Sequence, residues 1–175
     1  WREVYRGIVE QSYLDRVTAA DRAVRWAERL ATGSRRIALA TDPTPAPRSA
    51  VTATGPDRPH VPHFGEAHPA GDGRIVGVVS WGTHPDRGLE LMSLYVGSGH
   101  RGSGLGGRLL RHALGSAAAL VWVFEPNVRA IAFYGRHGFV LDGGCEPDPD
   151  TGVRCVRMSR TGRELAGIRG SRVGE

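Results

Sequence analysis

A glycine-rich loop between an apolar strand and an apolar helix is the feature that most constrains this chain. Residues 97–106 read GSGHRGSGLG and contain five glycines. At the start of a helix, backbone N–H groups point outward, the helix dipole favours negative charge, and glycines let phosphate oxygens approach closely. Arg101 adds a formal positive charge. The sequence therefore predicts an anion-binding loop, and the alternative is a turn without a ligand.

The segments around this loop predict a strand-loop-helix-strand unit. Residues 120–124 are apolar without alternation, which is typical of a strand covered on both faces. Thr18 and Asp21 have the spacing of a capping box, and Asn127 is placed to cap a helix that ends before Gly138. The predicted elements are two short helices within 1–35, helices after Gly104 and after Asn127, and strands at 36–40, 75–81, 89–96, 120–124, 139–141 and 153–158, with the second and third strands paired as a hairpin.

The chain is organised as one domain. Its 175 residues fit a single domain at 1–160, followed by a polar tail at 161–175. Residues 42–73 are rich in Pro, Gly and His and lack a period, so they predict a long loop insertion. Antiparallel strands followed by the strand-loop-helix-strand unit predict an α/β domain.

Charge and composition exclude several classes of protein. All 23 basic residues are arginine, and they exceed the acidic residues by five, which suits an anionic partner. Because the arginines are scattered, we expect that partner to be a nucleotide cofactor and not a nucleic acid. A hydrophobic content of 40% excludes a disordered chain, and we expect no membrane span or signal peptide, hence a cytoplasmic protein. Two cysteines are too few for a disulfide scaffold.

A dinucleotide-binding fold is one interpretation of the loop. Gly102, Gly104 and Gly107 satisfy G-x-G-x-x-G, and Glu125 follows at a distance suited to ribose recognition. However, about five residues separate the strand from Gly102, where that fingerprint needs an immediate tight turn. The antiparallel character of the first half and the short remaining chain also oppose it. A dinucleotide-dependent oxidoreductase therefore remains a remote alternative.

A second interpretation covers more of the chain. The segment Arg101–Gly106 matches the R/Q-x-x-G-x-G/A motif of the GNAT superfamily of acetyl-CoA-dependent N-acetyltransferases. The segment 127–139, NVRAIAFYGRHGF, resembles the second signature of that family, and residues 1–7 resemble the first helix of one bacterial subgroup. Ser98 stands where relatives often carry Pro, and the family's first strand, expected before Trp1, is absent. The resemblance implies a mixed, mostly antiparallel sheet with flanking helices, splayed between its two central parallel strands.

The resemblance also implies where acetyl-CoA binds. The pyrophosphate would lie on the backbone of the glycine loop, and the pantetheine arm would pair with the strand before it, with the Val96 N–H polarising the thioester carbonyl. Asn127 would contact the pantetheine side, and its alternative role is that of a plain helix cap. The cofactor-binding residues expected on this basis are Leu94, Tyr95, Val96, Arg101, Gly102, Ser103, Gly104, Leu105, Gly106 and Asn127.

Two side chains are the candidate catalytic groups. Tyr134 stands where many family members carry the general acid for the coenzyme A thiolate, a role that a lowered pKa would favour. Its alternative is a packed aromatic residue. Glu90 lies where several members place a general base, and apolar neighbours would raise its pKa towards neutrality. Its alternative is a solvent-exposed carboxylate or one paired with an arginine.

We therefore expect an N-acetyltransferase that acts on a small-molecule or peptide amine by direct attack, as a monomer or homodimer. A non-catalytic acyl-CoA-binding module is the main alternative. His60, His63 and His68 lie in the long loop without an accompanying cysteine, so no metal is expected.

Two further expectations concern the last hairpin. The spacing of Cys145 and Cys155 about the turn near Asp150 predicts that they face each other as reduced thiols. The carboxylates of Glu146, Asp148 and Asp150 would attract a cationic amine if their loop lies beside Glu90. The alternative for this loop is an ordinary polar turn.

Overall fold

Six strands form one sheet within residues 2–45 and 73–162, the part of the chain that the computed structural model describes. The helices are α1 (Arg2–Tyr5), α2 (Gln11–Arg16), α3 (Ala19–Ala31), α4 (Leu105–Leu114) and α5 (Val128–Arg136). The strands are β1 (Arg35–Pro45), β2 (Gly73–His84), β3 (Gly88–Val96), β4 (Ala119–Phe124), β5 (Val140–Pro147) and β6 (Arg154–Arg160).

The sheet is mixed and mostly antiparallel, in the order β1-β2-β3-β4-β6-β5. Only β3 and β4 run parallel to each other among the described strands. A short turn joins antiparallel β2 and β3, whereas a parallel pair needs a crossover, which the glycine loop and α4 supply. The predicted fold class, the predicted hairpin and the strand-loop-helix-strand unit are confirmed.

Helix α4 holds the centre of the sheet together. Its apolar face buries Leu105, Leu109 and Leu110 against Val79 and Leu91 of β2 and β3. Each fully buried aliphatic side chain of this kind contributes about 1.5–3 kcal/mol. This packing fixes the start of α4, and therefore the glycine loop, beside the end of β3.

The first part of the chain forms three short helices, where the sequence predicted two. The predicted capping box is present at the start of α3, because Thr18 Oγ1 accepts from the Asp21 N–H at 3.1 Å and Asp21 Oδ2 accepts from the Thr18 N–H at 2.8 Å. Thr18 itself is extended, so it separates α2 from α3. Helix α3 buries none of its residues completely.

Strand β1 extends further than the sequence predicted. The loop prediction began at Asp42, but the strand continues to Pro45. Among the described strands, β1 lies at an edge of the sheet and pairs with β2 alone. A register shift lies between Asp42 and Pro45. Proline is tolerated on an edge strand because a residue there can lack an N–H without losing a hydrogen bond to a neighbouring strand. The remainder of the predicted loop, with its three histidines, lies outside the described residues.

The prediction that the two cysteines face each other was wrong. Strand β5 is longer than predicted, and a register shift between Leu141 and Cys145 places Cys145 opposite Val156 and Glu146 opposite Cys155. Successive residues of a strand point to opposite faces, so the two thiols lie on different faces of the sheet. Both are free, with Cys145 exposed and Cys155 buried.

None of the helices in the described ranges has the length and apolar character needed to cross a bilayer. The division into a domain at 1–160 and a tail stays a prediction, because most of the tail lies outside those ranges.

Candidate active site

A cleft of about 1100 Å³ opens where β3 and β4 separate. These two strands pair only at Glu90 with Leu120 and at Leu91 with Val121, although β3 continues to Val96 and β4 to Phe124. Beyond that short ladder the strands diverge, as the family resemblance implied. Residues from the glycine loop, from α3 and α5 and from the turn between β5 and β6 also line this cleft.

The backbone of β3 presents hydrogen-bond donors to the gap. The Gly97 N–H donates to the Val76 carbonyl of β2 at 2.8 Å, and the pairing continues as Val96 with Gly77 and Tyr95 with Val78. Because hydrogen-bonded pairs alternate along an antiparallel ladder, Val96 and Leu94 point their N–H groups away from β2, towards the gap.

Tyr95 differs from its two neighbours. Its main chain occupies the alternate position in the ladder, so its N–H points towards β2 and not towards the gap. Its side chain still lies on the cleft.

The start of α4 lies at one end of the cleft. Gly104 precedes the helix in the left-handed region, with φ +78°, and no side chain caps the helix there. The first turn of a helix has backbone N–H groups without intrahelical acceptors, and here Ser103 Oγ approaches only the Leu105 N–H, at 3.4 Å. Gly106 lies against Phe133, because a Cβ at Gly106 would lie 3.2 Å from Phe133 Cε2. Only glycine at these two positions keeps this end of the cleft open without strain.

Arg101 lies on the cleft but already has a partner. Its Nη1 is 3.0 Å from Glu3 Oε1 of α1, and its side chain is 26% exposed. An anion that binds at the start of α4 would therefore compete with Glu3 for this guanidinium.

Asn127 caps α5, since its Oδ1 accepts from the Ala130 N–H at 3.1 Å. It also lines the cleft. The helix-cap role is thus present in the structure, and a contact to a ligand would come from the remaining polar atoms of the side chain.

Tyr134 is 7% exposed and its ring packs edge-on against Phe133 and Phe139, with centroids 5.1 and 5.6 Å away. Burial, followed by the charge of a nearby Tyr95, raises the pKa of its phenol well above the ordinary value. The structure therefore does not supply the lowered pKa that proton donation to a thiolate would favour. Tyr134 stays protonated across the physiological range.

Glu90 lies half-buried at the opposite end of the cleft from the glycine loop. Burial raises the pKa of its carboxyl, while the positive charges of Arg87, His84 and Arg35 oppose that rise. The direction of the shift matches the sequence prediction, because a carboxyl with a raised pKa is better suited to accept a proton near neutrality.

The profile of the acetyltransferase (GNAT) family matches residues 56–139, a range that includes the glycine loop, α4, β4 and α5. This part of the chain is therefore similar to the acetyltransferase (GNAT) family.

Two curated relatives from mycobacteria are similar to part of the chain. A probable N-acetyltransferase of Mycobacterium tuberculosis is 38% identical over 77 residues, which cover 41% of this chain and 44% of that protein. An uncharacterized N-acetyltransferase of the same organism is 41% identical over 78 residues, which cover 41% of this chain and 50% of that protein. The matches therefore span about half the length of these relatives.

The GNAT fold extends beyond the matched sequence. A crystal structure from Desulfovibrio desulfuricans, assigned to the GNAT family, covers 91% of this chain and 88% of its own length with a TM-score of 0.56. At 14% identity this likeness shows the fold alone.

The sequence analysis did not identify two aromatic residues that line the cleft. The ring of Tyr5 lies 5.1 Å from that of Phe124, and burial together with Tyr95 raises the pKa of its hydroxyl. Trp122 lies on β4 between the guanidinium groups of Arg87 and Arg157, and its buried indole nitrogen has no acceptor among the described residues. Their places in the cleft depend on contacts between distant elements, which the sequence does not show.

The acidic loop between β5 and β6 lies on the cleft, but its carboxylates are engaged. Asp150 pairs with Arg25 of α3 at 2.7 Å, and Glu146 lies 3.9 Å from Arg87. Asp148 Oδ1 accepts from two backbone N–H groups and a hydroxyl within its own turn, with Thr151 as the main donor. The expected attraction for a cationic amine is thus reduced by partners within the protein.

Proposed function

We propose that this chain transfers the acetyl group of acetyl-CoA to an amine. The observation that carries the proposal is the divergence of β3 from β4, which leaves the N–H groups of Val96 and Leu94 facing a cleft. The same cleft contains the uncapped start of α4 at one end and Glu90 at the other.

The cleft fits a nucleotide-linked thioester. The free N–H groups at the start of α4 and the dipole of that helix favour a pyrophosphate. Arg101 would add a charge-assisted contact by exchanging Glu3 for a phosphate oxygen. The pantetheine arm would then run along β3, and Asn127 would lie beside it.

The Val96 N–H would stabilise the charge that develops during transfer. The amine nitrogen forms a bond to the thioester carbonyl carbon, and the oxygen becomes negative and accepts a hydrogen bond from Val96. Collapse of this intermediate breaks the C–S bond, and the sulfur leaves with the electron pair. Glu90 accepts the proton that the amine loses, either directly or through one water.

Tyr134 would act on the departing sulfur as a hydrogen-bond donor. Its raised pKa keeps the phenol protonated, so a donor is always present. Full proton transfer to a thiolate, with an ordinary thiol pKa of about 8.5, is uphill from such a phenol. Tyr134 therefore stabilises the thiolate by a hydrogen bond until a proton reaches it.

The test combines binding with turnover. Calorimetry should show that acetyl-CoA binds and NAD⁺ does not, and that Arg101→Gln weakens acetyl-CoA by roughly 10-fold or more, as expected for loss of a charge-assisted hydrogen bond. A panel of amines should contain acceptors that release free coenzyme A thiol faster than hydrolysis does.

Each alternative predicts a different result. Tight binding of acetyl-CoA without amine-dependent thiol release would support a non-catalytic acyl-CoA-binding module. Preferential binding of NAD⁺ would support a dinucleotide-binding protein and contradict the proposal.

A further inference from the structure

Three residues in a row across the sheet place an arginine and Glu90 on the same face. Arg35 of β1 lies opposite Gly82 of β2, and Gly82 lies opposite Glu90 of β3. Directly opposed residues of antiparallel strands share a face. Neighbouring strands are about 4.8 Å apart, so the backbones of Arg35 and Glu90 are about 10 Å apart. The backbone of Ser34 and the side chain of Met92 cover Gly82, and the two charged side chains line the cleft.

Arg35 is a half-buried cation without a carboxylate partner. No carboxylate oxygen of residues 2–45 or 73–162 lies within 4.0 Å of its guanidinium. It contacts the Trp26 ring at 5.8 Å and approaches Ser80 Oγ at 3.5 Å. Burial, followed by the like charge of Arg29, lowers the pKa of Arg35. A partly desolvated charge of this kind is stabilised by an anion that approaches from the cleft.

The surrounding charges leave this end of the cleft positive. Arg25 is paired with Asp150 and Arg87 lies near Glu146, so these pairs largely cancel. Arg29 also lines the cleft beside Arg35, and none of the described carboxylates lies within 4.0 Å of it. A ligand that reaches Glu90 therefore meets uncompensated positive charge close by.

We infer that the acceptor is an α-amino acid whose carboxylate binds Arg35 while its amine lies beside Glu90. This inference rests on the proposed acetyl transfer. A planar guanidinium binds a carboxylate through two parallel hydrogen bonds, which would orient the amine in one direction along the row. Arg35 and Glu90 line the same cleft, so one small molecule bound there would contact both groups. A polyamine would instead bring a second positive charge towards Arg35 and Arg29, which is unfavourable.

The experiment compares amino acids with their own amides. A panel of L-amino acids and the corresponding primary carboxamides is assayed for thiol release from acetyl-CoA, and binding of each compound is measured in parallel by ligand-observed NMR. The test variant is Arg35→Gln. The matched control is Arg36→Gln, since Arg36 is the next residue of β1, is exposed, and pairs with Trp81 on the opposite face.

The inference predicts that acids are preferred to amides and that this preference depends on Arg35. Arg35→Gln should raise the KM of the acids by roughly 10- to 100-fold, the range for loss of a hydrogen bond to a charged group, and leave the amides nearly unchanged. Arg36→Gln should behave like the parent protein.

The outcomes separate the two proposals. Turnover of amides as efficient as that of acids, or equal losses for both in Arg35→Gln, would overturn carboxylate recognition and leave acetyl transfer standing. Acid-selective binding that Arg35→Gln abolishes, without any transfer, would support carboxylate recognition and overturn the proposed activity. Absence of both binding and turnover for every acid would overturn the inference.

Discussion

Replacing Gly106 with alanine tests whether the start of α4 binds acetyl-CoA. The variant should bind the cofactor more weakly while its stability changes little. Gly106 is in the first turn of the helix, and an added Cβ would lie 3.2 Å from Phe133 Cε2 and 3.7 Å from Val96 Cγ2. The methyl group would therefore enter the cleft where the start of the helix faces the end of β3. Gly104 is less suitable for this test, since its φ of +78° would strain any other residue.

The expected magnitudes differ for stability and for binding. Alanine is favoured over glycine in a helix by up to about 1 kcal/mol, or a rise in Tm of roughly 2–4 °C for a chain of this size. The tight contact with Phe133 offsets part of that gain, so stability should change little. Loss of one charge-assisted hydrogen bond to phosphate would weaken acetyl-CoA by roughly 10- to 100-fold.

The matched control is Gly135→Ala in α5. A Cβ at Gly135 would have no heavy atom within 4 Å. This variant should therefore gain the full stabilisation that alanine gives over glycine in a helix, and it should bind acetyl-CoA like the parent protein. Thermal unfolding measures the stability of both variants, and calorimetry measures their affinity. A folded Gly106→Ala variant with the parent affinity for acetyl-CoA would refute the placement of the cofactor at the start of α4.

Three further predictions concern side chains in and beyond the cleft. Tyr134→Phe keeps the ring packing but removes the hydrogen bond to the departing thiolate, so it should lower single-turnover transfer roughly 10- to 100-fold with the acetyl-CoA Kd unchanged. An unchanged rate would leave Tyr134 a packing residue. Because burial raises the pKa of Glu90, folding favours its protonated form, so ionisation of Glu90 above that pKa destabilises the fold. Glu90→Gln should therefore have a higher Tm than the parent protein near neutral pH, and the difference should disappear below pH ~4. The same variant should have a lower kcat/KM. A Tm below that of the parent at neutral pH would contradict the expected direction of the stability change. A thiol reagent should modify exposed Cys145 well before Cys155, whose pKa burial raises to about 11; equal rates would contradict the register of the last hairpin.

The elements of the second half could be predicted from the sequence because their signals are local. The apolar face of α4 repeats at helical spacing, Asn127 caps α5, and the glycine loop separates a strand from a helix. The pairing of β3 with β4 followed from the family resemblance, and its early end was expected on the same basis. These signals place the start of α4 and Val96 at one cleft.

The rest depends on the register between strands, which no local pattern determines. A shift between Leu141 and Cys145 separates the two thiols, and another between Ser80 and Trp81 precedes the row that joins Arg35 to Glu90. A shift of one residue moves every following side chain to the other face. The sequence therefore identified Glu90 but not the arginine that shares its face.

The ion pairs and pKa shifts of the site residues could not be predicted from the sequence either. The acidic loop was expected to carry free negative charge, but Asp150 has a partner on α3, 125 residues away in sequence. The pKa of Tyr134 is raised, because burial among aromatic rings disfavours the phenolate. Such effects depend on which side chains meet in the folded chain.

Transfer of a labelled acetyl group tests the central claim most directly. The protein would be incubated with acetyl-CoA that carries an isotopic label in its acetyl carbons, together with an amine that releases thiol in the panel assay, and the products would be followed by NMR. The account predicts that the label appears in an N-acetyl group on the amine at the rate of thiol release, and that Glu90→Gln slows both equally. Label that stays in acetyl-CoA, or appears only as free acetate, would contradict amine acetylation.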